Sequence, residues 1–257
     1  MSSLFSGGDA AALETRLTRF ARFDRDPFPA LNTAFLQDGA YVEIPNHTTV
    51  EEPIHLLFLS SAKDPPVVTH PRNLIVVGAR SQASVIETYS GWSPDVYLTD
   101  AVTEVVVDGG STLDHYKMQR ESATGFHMGT MVLEQGRDTT VSCHSISLGS
   151  RLGRNTVLAT FRGEGGSLLL NGLFVTEGTQ QVDNYTRIDH VVPSCTSVEL
   201  YKGILNHKSR GVFNGNIIVR PGAQKTVARQ TNKNLLLSTE AFVDSTPGLE
   251  ILADDVK

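Results

Sequence analysis

The stretch Glu104-Val-Val-Val-Asp-Gly-Gly110, followed by Thr112-Leu-Asp-His-Tyr116, decides the fold. It reads as a strand rich in β-branched residues, a tight glycine turn and a second strand that alternates apolar with polar. The same unit recurs on both sides. Leu74-Ile-Val-Val-Gly-Ala79 precedes Ser84-Val-Ile-Glu-Thr88, and Thr130-Met-Val-Leu-Glu-Gln-Gly136 precedes Thr140-Val-Ser-Cys-His144. Further on, Thr156–Gly166 precedes Ser167-Leu-Leu-Leu170, and Ile217–Ala223 precedes Lys225-Thr-Val-Ala228. The marker glycines 78, 110, 136 and 166 stand 32, 26 and 30 residues apart. That spacing fits the coils of a β-solenoid, where each coil adds strands to long parallel sheets. One coil cannot bury its own apolar face, so stacking supplies the stability. A jelly roll or sandwich is the rival all-β reading, but it would show hairpin turns every 8–12 residues.

Strands are expected at 40–44, 54–59, 74–78, 84–89, 102–107, 112–118, 130–134, 139–148, 156–161, 167–175, 197–201, 216–220 and 225–229. No helical period lies between them, which excludes doubly wound and barrel α/β folds. Helix is expected only near the start. Asp9 is placed to cap it, and Leu13, Leu17 and Phe20 share one face of residues 9–22. Pro27 and Pro29 are expected to end it. Asp9, Glu14, Asp24 and Asp26 argue against an organelle transit peptide. The chain thus divides into a leader with a short helix over 1–35 and one β-solenoid core over 36–257.

Composition narrows the function classes. The 257 residues carry 28 acidic and 22 basic side chains, a formal charge of −6. With no basic block, nucleic acid is a poor partner. Hydrophobic residues make up 40%, which rules out wholesale disorder. No apolar run approaches the ~18 residues of a membrane span. Two cysteines, Cys143 and Cys195, cannot form a disulfide framework and suit a reducing compartment. A soluble, intracellular protein is expected.

No assembled active site is visible along the chain. Histidines 47, 55, 70, 115, 127, 144, 190 and 207 are scattered without a metal-ligand spacing, so most read as ordinary surface or strand residues. Cys143 and His144 are strand neighbours and point to opposite faces, a buried thiol beside an outward imidazole. No local cation is seen to activate Cys143, and Cys195 follows Pro193 in a turn. Gly163-Glu-Gly-Gly166 runs into strand residues rather than a helix, so it reads as a turn and not a phosphate loop. Two glycosylation sequons, at Asn46 and Asn184, matter only for a secreted chain. In Val182–His190, Asp183, Tyr185, Arg187 and Asp189 share one face, and Asn184, Thr186, Ile188 and His190 the other. The carboxylates around Arg187 read as a cross-strand ion pair.

Several stretches carry a resemblance. They include Leu31–Gly39, Ser145–Gly149, Leu170–Leu173, Val182–His190, Cys195–Gly203, Arg210–Gly215, Gln224-Lys225, Gln230–Leu237 and Leu249–Lys257. Together they resemble the SufB/SufD family of the SUF iron–sulfur cluster assembly system, over residues 31–257. The resemblance implies a right-handed parallel β-helix and a non-catalytic scaffold that pairs with a SufB-like subunit and a SufC-like ATPase. The reactive cysteine of the SufB branch would fall at Asn232, and an amide cannot replace a thiolate ligand, which favours the SufD branch.

Two departures from the family accompany that resemblance. A longer helical region normally precedes Asn32, and a Cys-x-His-Gly stretch with a C-terminal helical domain normally follows the family's Asp-Asp-Val-Lys. On these residues the SufC contact is therefore expected to be lost. The terminal stretch is expected to meet SufB, with Asp254, Asp255 and Lys257 as interface residues, or to self-associate as a homodimer. The resemblance implies no cofactor held by this chain alone, a cluster formed transiently on the complex, and a cytoplasmic or plastid-stromal location. The rival readings are a β-helix enzyme acting on polysaccharide, which lacks its signal peptide and groove cluster, and a cupin-type metalloprotein, which lacks its histidine motif.

Overall fold

The strand–glycine–strand units stack as the repeat predicts. The computed structural model describes residues 17–21, 24, 26–61, 65–91 and 95–257. Helix α1 (Pro27–Ala34) is followed by β1 (Asp38–Ile44), β2 (Ile54–Ser60), β3 (Val67–Thr69), β4 (Pro71–Val77), β5 (Gln82–Gly91), β6 (Tyr97–Val107), β7 (Thr112–Arg120) and β8 (Phe126–Gln135). Then come β9 (Thr140–Ser147), β10 (Leu152–Phe161), β11 (Ser167–Thr176), β12 (Gln181–His190), β13 (Thr196–Leu205), β14 (Arg210–Val219), β15 (Val227–Leu236) and β16 (Phe242–Ile251). One sheet runs β1-β4-β6-β8-β10-β12-β14-β16, with β3 beside β6; the other runs β2-β5-β7-β9-β11-β13-β15. All of these pairings are parallel. Each coil contributes one strand to each sheet, and the fold is a two-sheet β-solenoid.

Register converts the sequence repeat into columns of stacked side chains. Paired residues lie from 26 positions apart (Phe126 and Leu152) to 33 apart (Asp38 and Pro71). Val42, Ile75, Val105, Leu133, Ala159, Ile188 and Ile217 form one inward column, apolar in every coil. With Val85, Leu113, Val141, Leu168 and Leu170 of the facing sheet they make the main core. Full burial of each such side chain contributes about 1.5–3 kcal/mol against the extended chain.

The glycines serve the turns between sheets. Gly110 has φ +74°, and Arg80 and Asp138 hold the same left-handed turn position in adjacent coils. Gly78 serves for a different reason: a Cβ there would lie 2.7 Å from the Ile44 carbonyl oxygen of the coil below.

All thirteen expected strands overlap observed ones. Strands β3, β12 and β16 were not expected. β12 is rich in Asp, Asn and Arg, and β16 contains Pro247 and Gly248, so propensity argued against them; pairing with β14 holds both in the stack.

Of the helix expected over 9–22, residues 9–16 and 22 lie outside the described residues, and Leu17–Ala21 is turn and bend rather than helix. The prolines begin a helix rather than end one. Asp26 caps α1 by accepting from the Phe28 amide at 3.0 Å, and Pro27 at the first helical position has no amide proton to leave unpaired.

Leu17, Phe20 and Ala21 cover the outer face of the first sheet, against Leu74, Val76, Val102 and Val132. Buried Glu104 fixes them there. Its carboxylate accepts from the amides of Thr18 and Phe20, each at 2.8 Å, and from Arg72 Nε at 3.0 Å. Among the described residues no helix is long and apolar enough to cross a membrane.

Candidate functional site

The last coil breaks the burial rule that the inner coils obey. Leu249 continues the apolar column after Ile217, yet Ile217 is 1% exposed and Leu249 57%. Ile251 pairs with Val219, and their exposures are 46% and 0%. In the second sheet Leu236 pairs with Leu205, at 45% against 0%. Leu235, Leu237, Phe242 and Leu252 are exposed around them. Strand β16 pairs only with β14, and β15 with β13 apart from its Ala228 amide, which donates to the Lys257 carbonyl at 2.9 Å, so most of one side of each carries backbone groups without ladder partners. Exposed apolar residues beside an unpaired strand edge are the features of a docking surface.

The expected interface residues lie at the rim of this face. Leu252 donates its amide to the Val219 carbonyl at 2.8 Å, and the chain then turns toward β15. Val256 forms a parallel bridge to Thr226, and the Lys257 amide donates to the Thr226 carbonyl at 2.9 Å. The Asp255 carbonyl accepts from the Lys225 amide at 2.7 Å. The backbone around Asp254, Asp255 and Lys257 is thereby fixed, while their side chains face solvent.

Asn232 sits inward on β15. Its Nδ2 donates to the Tyr201 carbonyl at 3.3 Å, and its Oδ1 accepts from Ser245 Oγ at 2.9 Å. The half-buried amide therefore ties β15 to β16.

A second feature was not foreseen. Inside the coils, one side of the lumen is charged. Glu87, His115, Lys117 and Glu121 point inward at the alternate positions that elsewhere carry Leu and Val. His115 Nε2 donates to Glu87 Oε1 at 2.8 Å, and both groups are buried. Glu87 Oε2 also accepts from Tyr89 Oη at 2.6 Å and Thr103 Oγ1 at 2.9 Å. Burial alone would raise the Glu87 pKa, but the bond and charge of His115, with Tyr89 and Lys117, hold it well below the usual carboxylate range. Burial would likewise lower His115; its bonds to Cys143 and Glu87 instead raise it well above an ordinary imidazole.

Lys117 Nζ reaches over Gly129, where a Cβ would lie 2.0 Å away, and donates to Asn155 Oδ1 at 3.2 Å. Burial pulls its pKa down to about 8, against the carboxylates of Glu87 and Glu121. His127 Nδ1 lies 2.9 Å from Glu121 Oε2 but is not aligned for a hydrogen bond.

Cys143 is register-paired with His115, so the cation that the local sequence does not show comes from the adjacent coil. The thiol is buried, as expected, and His144 faces outward, stacked on Tyr116 at 4.8 Å. Cys195 is buried too, and burial raises its pKa.

The remaining histidines divide by side of the strand. His115, His127 and His190 are interior, against the expectation of ordinary strand or surface residues. His190 stacks on Phe161 at 4.6 Å, bonds Ser197 Oγ at 2.9 Å, and burial lowers its pKa to about 4. The two faces expected for Val182–His190 are as read, with Asn184, Thr186, Ile188 and His190 buried. Asp189 is an ion-pair centre: its Oδ2 accepts from Arg187 at 3.2 Å and from Arg220 at 2.8 Å. Asn184 is interior, so its sequon is closed. Gly163–Gly166 is a turn between β10 and β11. Among the described residues no three His, Cys, Asp or Glu side chains gather as a metal-binding group.

Residues 58–257 match the sequence family described as the SufBD core domain of SUF system FeS cluster assembly, and residues 6–56 match the SufBD protein N-terminal region. An iron–sulfur cluster assembly SufBD family protein of Synechocystis is 32% identical over 90% of this chain and 52% of its own length. The chloroplastic protein ABCI7 of Arabidopsis thaliana is 32% identical over 95% of this chain and 54% of its own. The iron–sulfur cluster assembly protein SufD of Escherichia coli is 30% identical over 90% of this chain and 55% of its own. The chain spans about half the length of these curated relatives.

Proposed function

Because the chain belongs to the SufBD family, we propose that it is a scaffold subunit of iron–sulfur cluster assembly, pairing with a SufB-like subunit and working with a SufC-like ATPase. The observation that carries this reading is the terminal coil. Leu249 and Ile251 stand in columns that are sealed in the inner coils, and here they form an exposed apolar face that fits a further strand. Strand addition supplies affinity through main-chain hydrogen bonds, and the exposed alternate side chains supply selectivity. Asp254 and Asp255 at the rim discourage indiscriminate pairing of the edge.

The role is non-catalytic in this reading. The titratable groups that approach one another closely, Glu87, His115, Lys117 and Cys143, are enclosed between the sheets, and the Glu87–His115 pair braces the coils. Asn232 in place of a thiolate supports the SufD branch, since an amide is a poor ligand for iron or sulfur. The cluster forms transiently on the assembled complex, and this chain alone holds no resident cofactor. A bacterial cytoplasm or a plastid stroma suits it, as its relatives include bacterial and chloroplastic proteins.

The test is co-expression of the chain with a SufB-like subunit and a SufC-like ATPase, followed by affinity capture. Capture of the SufB-like subunit is expected, with cluster formation on the mixed complex requiring the longer family protein. A correctly folded chain that captures neither partner overturns the reading.

A further inference from the structure

A cavity of ≈ 710 Å³ opens at the first coils, within the ~300–1,000 Å³ typical of ligand pockets. Much of its wall is apolar: Leu31 comes from α1, Phe35 caps the end of that helix, Leu57 and Leu59 come from β2, and Val68 from β3. At this point the edge of one sheet parts from the short strand β3 of the other, and Leu57, Leu59 and Val68 are left exposed.

One polar device is set into this wall. His70 lines the cavity and stacks on Phe35, with ring centroids 5.6 Å apart. Its Nδ1 meets Asp100 Oδ2 at 3.1 Å. Asp100 is fully buried behind the ring, and its Oδ1 has no hydrogen-bond partner. A carboxylate behind Nδ1 fixes the proton there, so Nε2 presents its lone pair away from Asp100. The hydroxyls of Ser60 and Thr99 lie at the same wall, 3.3 Å apart. Asp38 at the rim leaves the cavity short of positive charge, which disfavours anions.

We propose that this cavity binds a small amphiphile with an apolar body and a neutral or cationic hydrogen-bond donor, a hydroxyl or an amine, held by His70 Nε2. Phe35, Leu57, Leu59 and Val68 take the apolar body. Asp100 acts through His70, by holding the ring and its tautomer, and does not touch the ligand.

The probes are octan-1-ol, octan-1-amine and octanoate, added to the full chain and followed by ligand-observed and backbone-amide NMR. Octanol and octylamine are expected to bind saturably and to shift amides in β2 and β3, with octanoate at least tenfold weaker. His70→Ala is expected to weaken octanol at least tenfold, and His70→Gln, which keeps an acceptor near the same place, to recover part of that loss. Leu59→Asp lies on an exposed position, spares the core, and is expected to abolish binding of octanol. No saturable binding, octanoate binding as tightly as octanol, or a folded His70→Ala chain that binds normally would each overturn the proposal.

Discussion

Ile217 and Leu249 occupy consecutive rungs of one column, face the same way and differ only in what lies above them. Ile217 is sealed by β16, whereas Leu249 has no rung over it. The inner coils show what the fold requires of such a position, namely complete burial between two neighbours. The terminal coil keeps the same residue types without the second neighbour. Leu235, Leu236, Leu249 and Ile251 form an exposed apolar face beside the edges of β15 and β16.

Several perturbations would break or sharpen that comparison. The largest effect belongs to the enclosed charges. Glu87→Ala leaves His115 without its carboxylate and is expected to cost about 3–5 kcal/mol at neutral pH, measured by urea unfolding. The pH profile gives its sign. The folded-state pKa of Glu87 lies below its ordinary 4.5, so its contribution is present above that pH and is lost as pH falls. That of His115 lies above its ordinary 6.5, so its contribution is full below that pH and is lost as pH rises. The pair is worth most between those two values, and Glu87→Gln should flatten both limbs of the profile. A variant whose unfolding midpoint matches the parent across this range would show that the charged lumen does not brace the stack.

Next come the two rungs themselves. Ile188→Ala, in the middle of the column, is expected to cost about 2–5 kcal/mol, because it removes packed methyl groups and leaves a cavity. Leu249→Ala in the isolated chain should stay within about 0.5 kcal/mol of the parent, as an exposed substitution does. Equal losses for the two would mean that the terminal column is already sealed in solution, through self-association for instance, which sedimentation would reveal.

Lys117 works in the opposite direction. Burial has lowered its pKa to about 8, so the cost of enclosing its charge is present below that pH and is relieved as pH rises toward its ordinary 10.5. Lys117→Met should therefore be neutral or stabilising at pH 7, and a clear loss would assign the ammonium a bracing role. The smallest effect is expected at the surface. Arg220→Ala removes a bidentate bond to Asp189 at the surface and should lower stability least of these changes, and less still at high salt.

How far these regions were legible in the sequence follows from the range of the forces that shape them. The strand–glycine–strand unit is local, and it located the strands from β4 to β11 and implied parallel stacking. Strands β12 and β16 escaped because their stability comes from pairing with β14 rather than from their own propensities. Pro27 and Pro29 misled for the opposite reason. A proline stops a helix from within but starts one when Asp26 caps it, and only the capped geometry separates the cases.

The charged lumen was half visible. His115 and Lys117 share the parity of Leu113, which marks them as inward, but their partners lie in other coils. Glu87 is 28 residues from His115, and Cys143 is a further 28 along the chain. No local scan joins groups so far apart. Asp254, Asp255 and Lys257 were readable as the charged residues of the last stretch. The apolar surface of Leu249 and Ile251 emerged only once register aligned them with Ile217 and Val219.

Hydrogen exchange of the chain, alone and mixed with a SufB-like subunit, tests the docking role of the terminal coil most directly. The account predicts slower exchange at the amides of Phe242–Ile251 on mixing, with those of Ile54–Ser60 at the opposite end unchanged. Protection at Ile54–Ser60, with β16 exchanging as before in a complex that has formed, would contradict it.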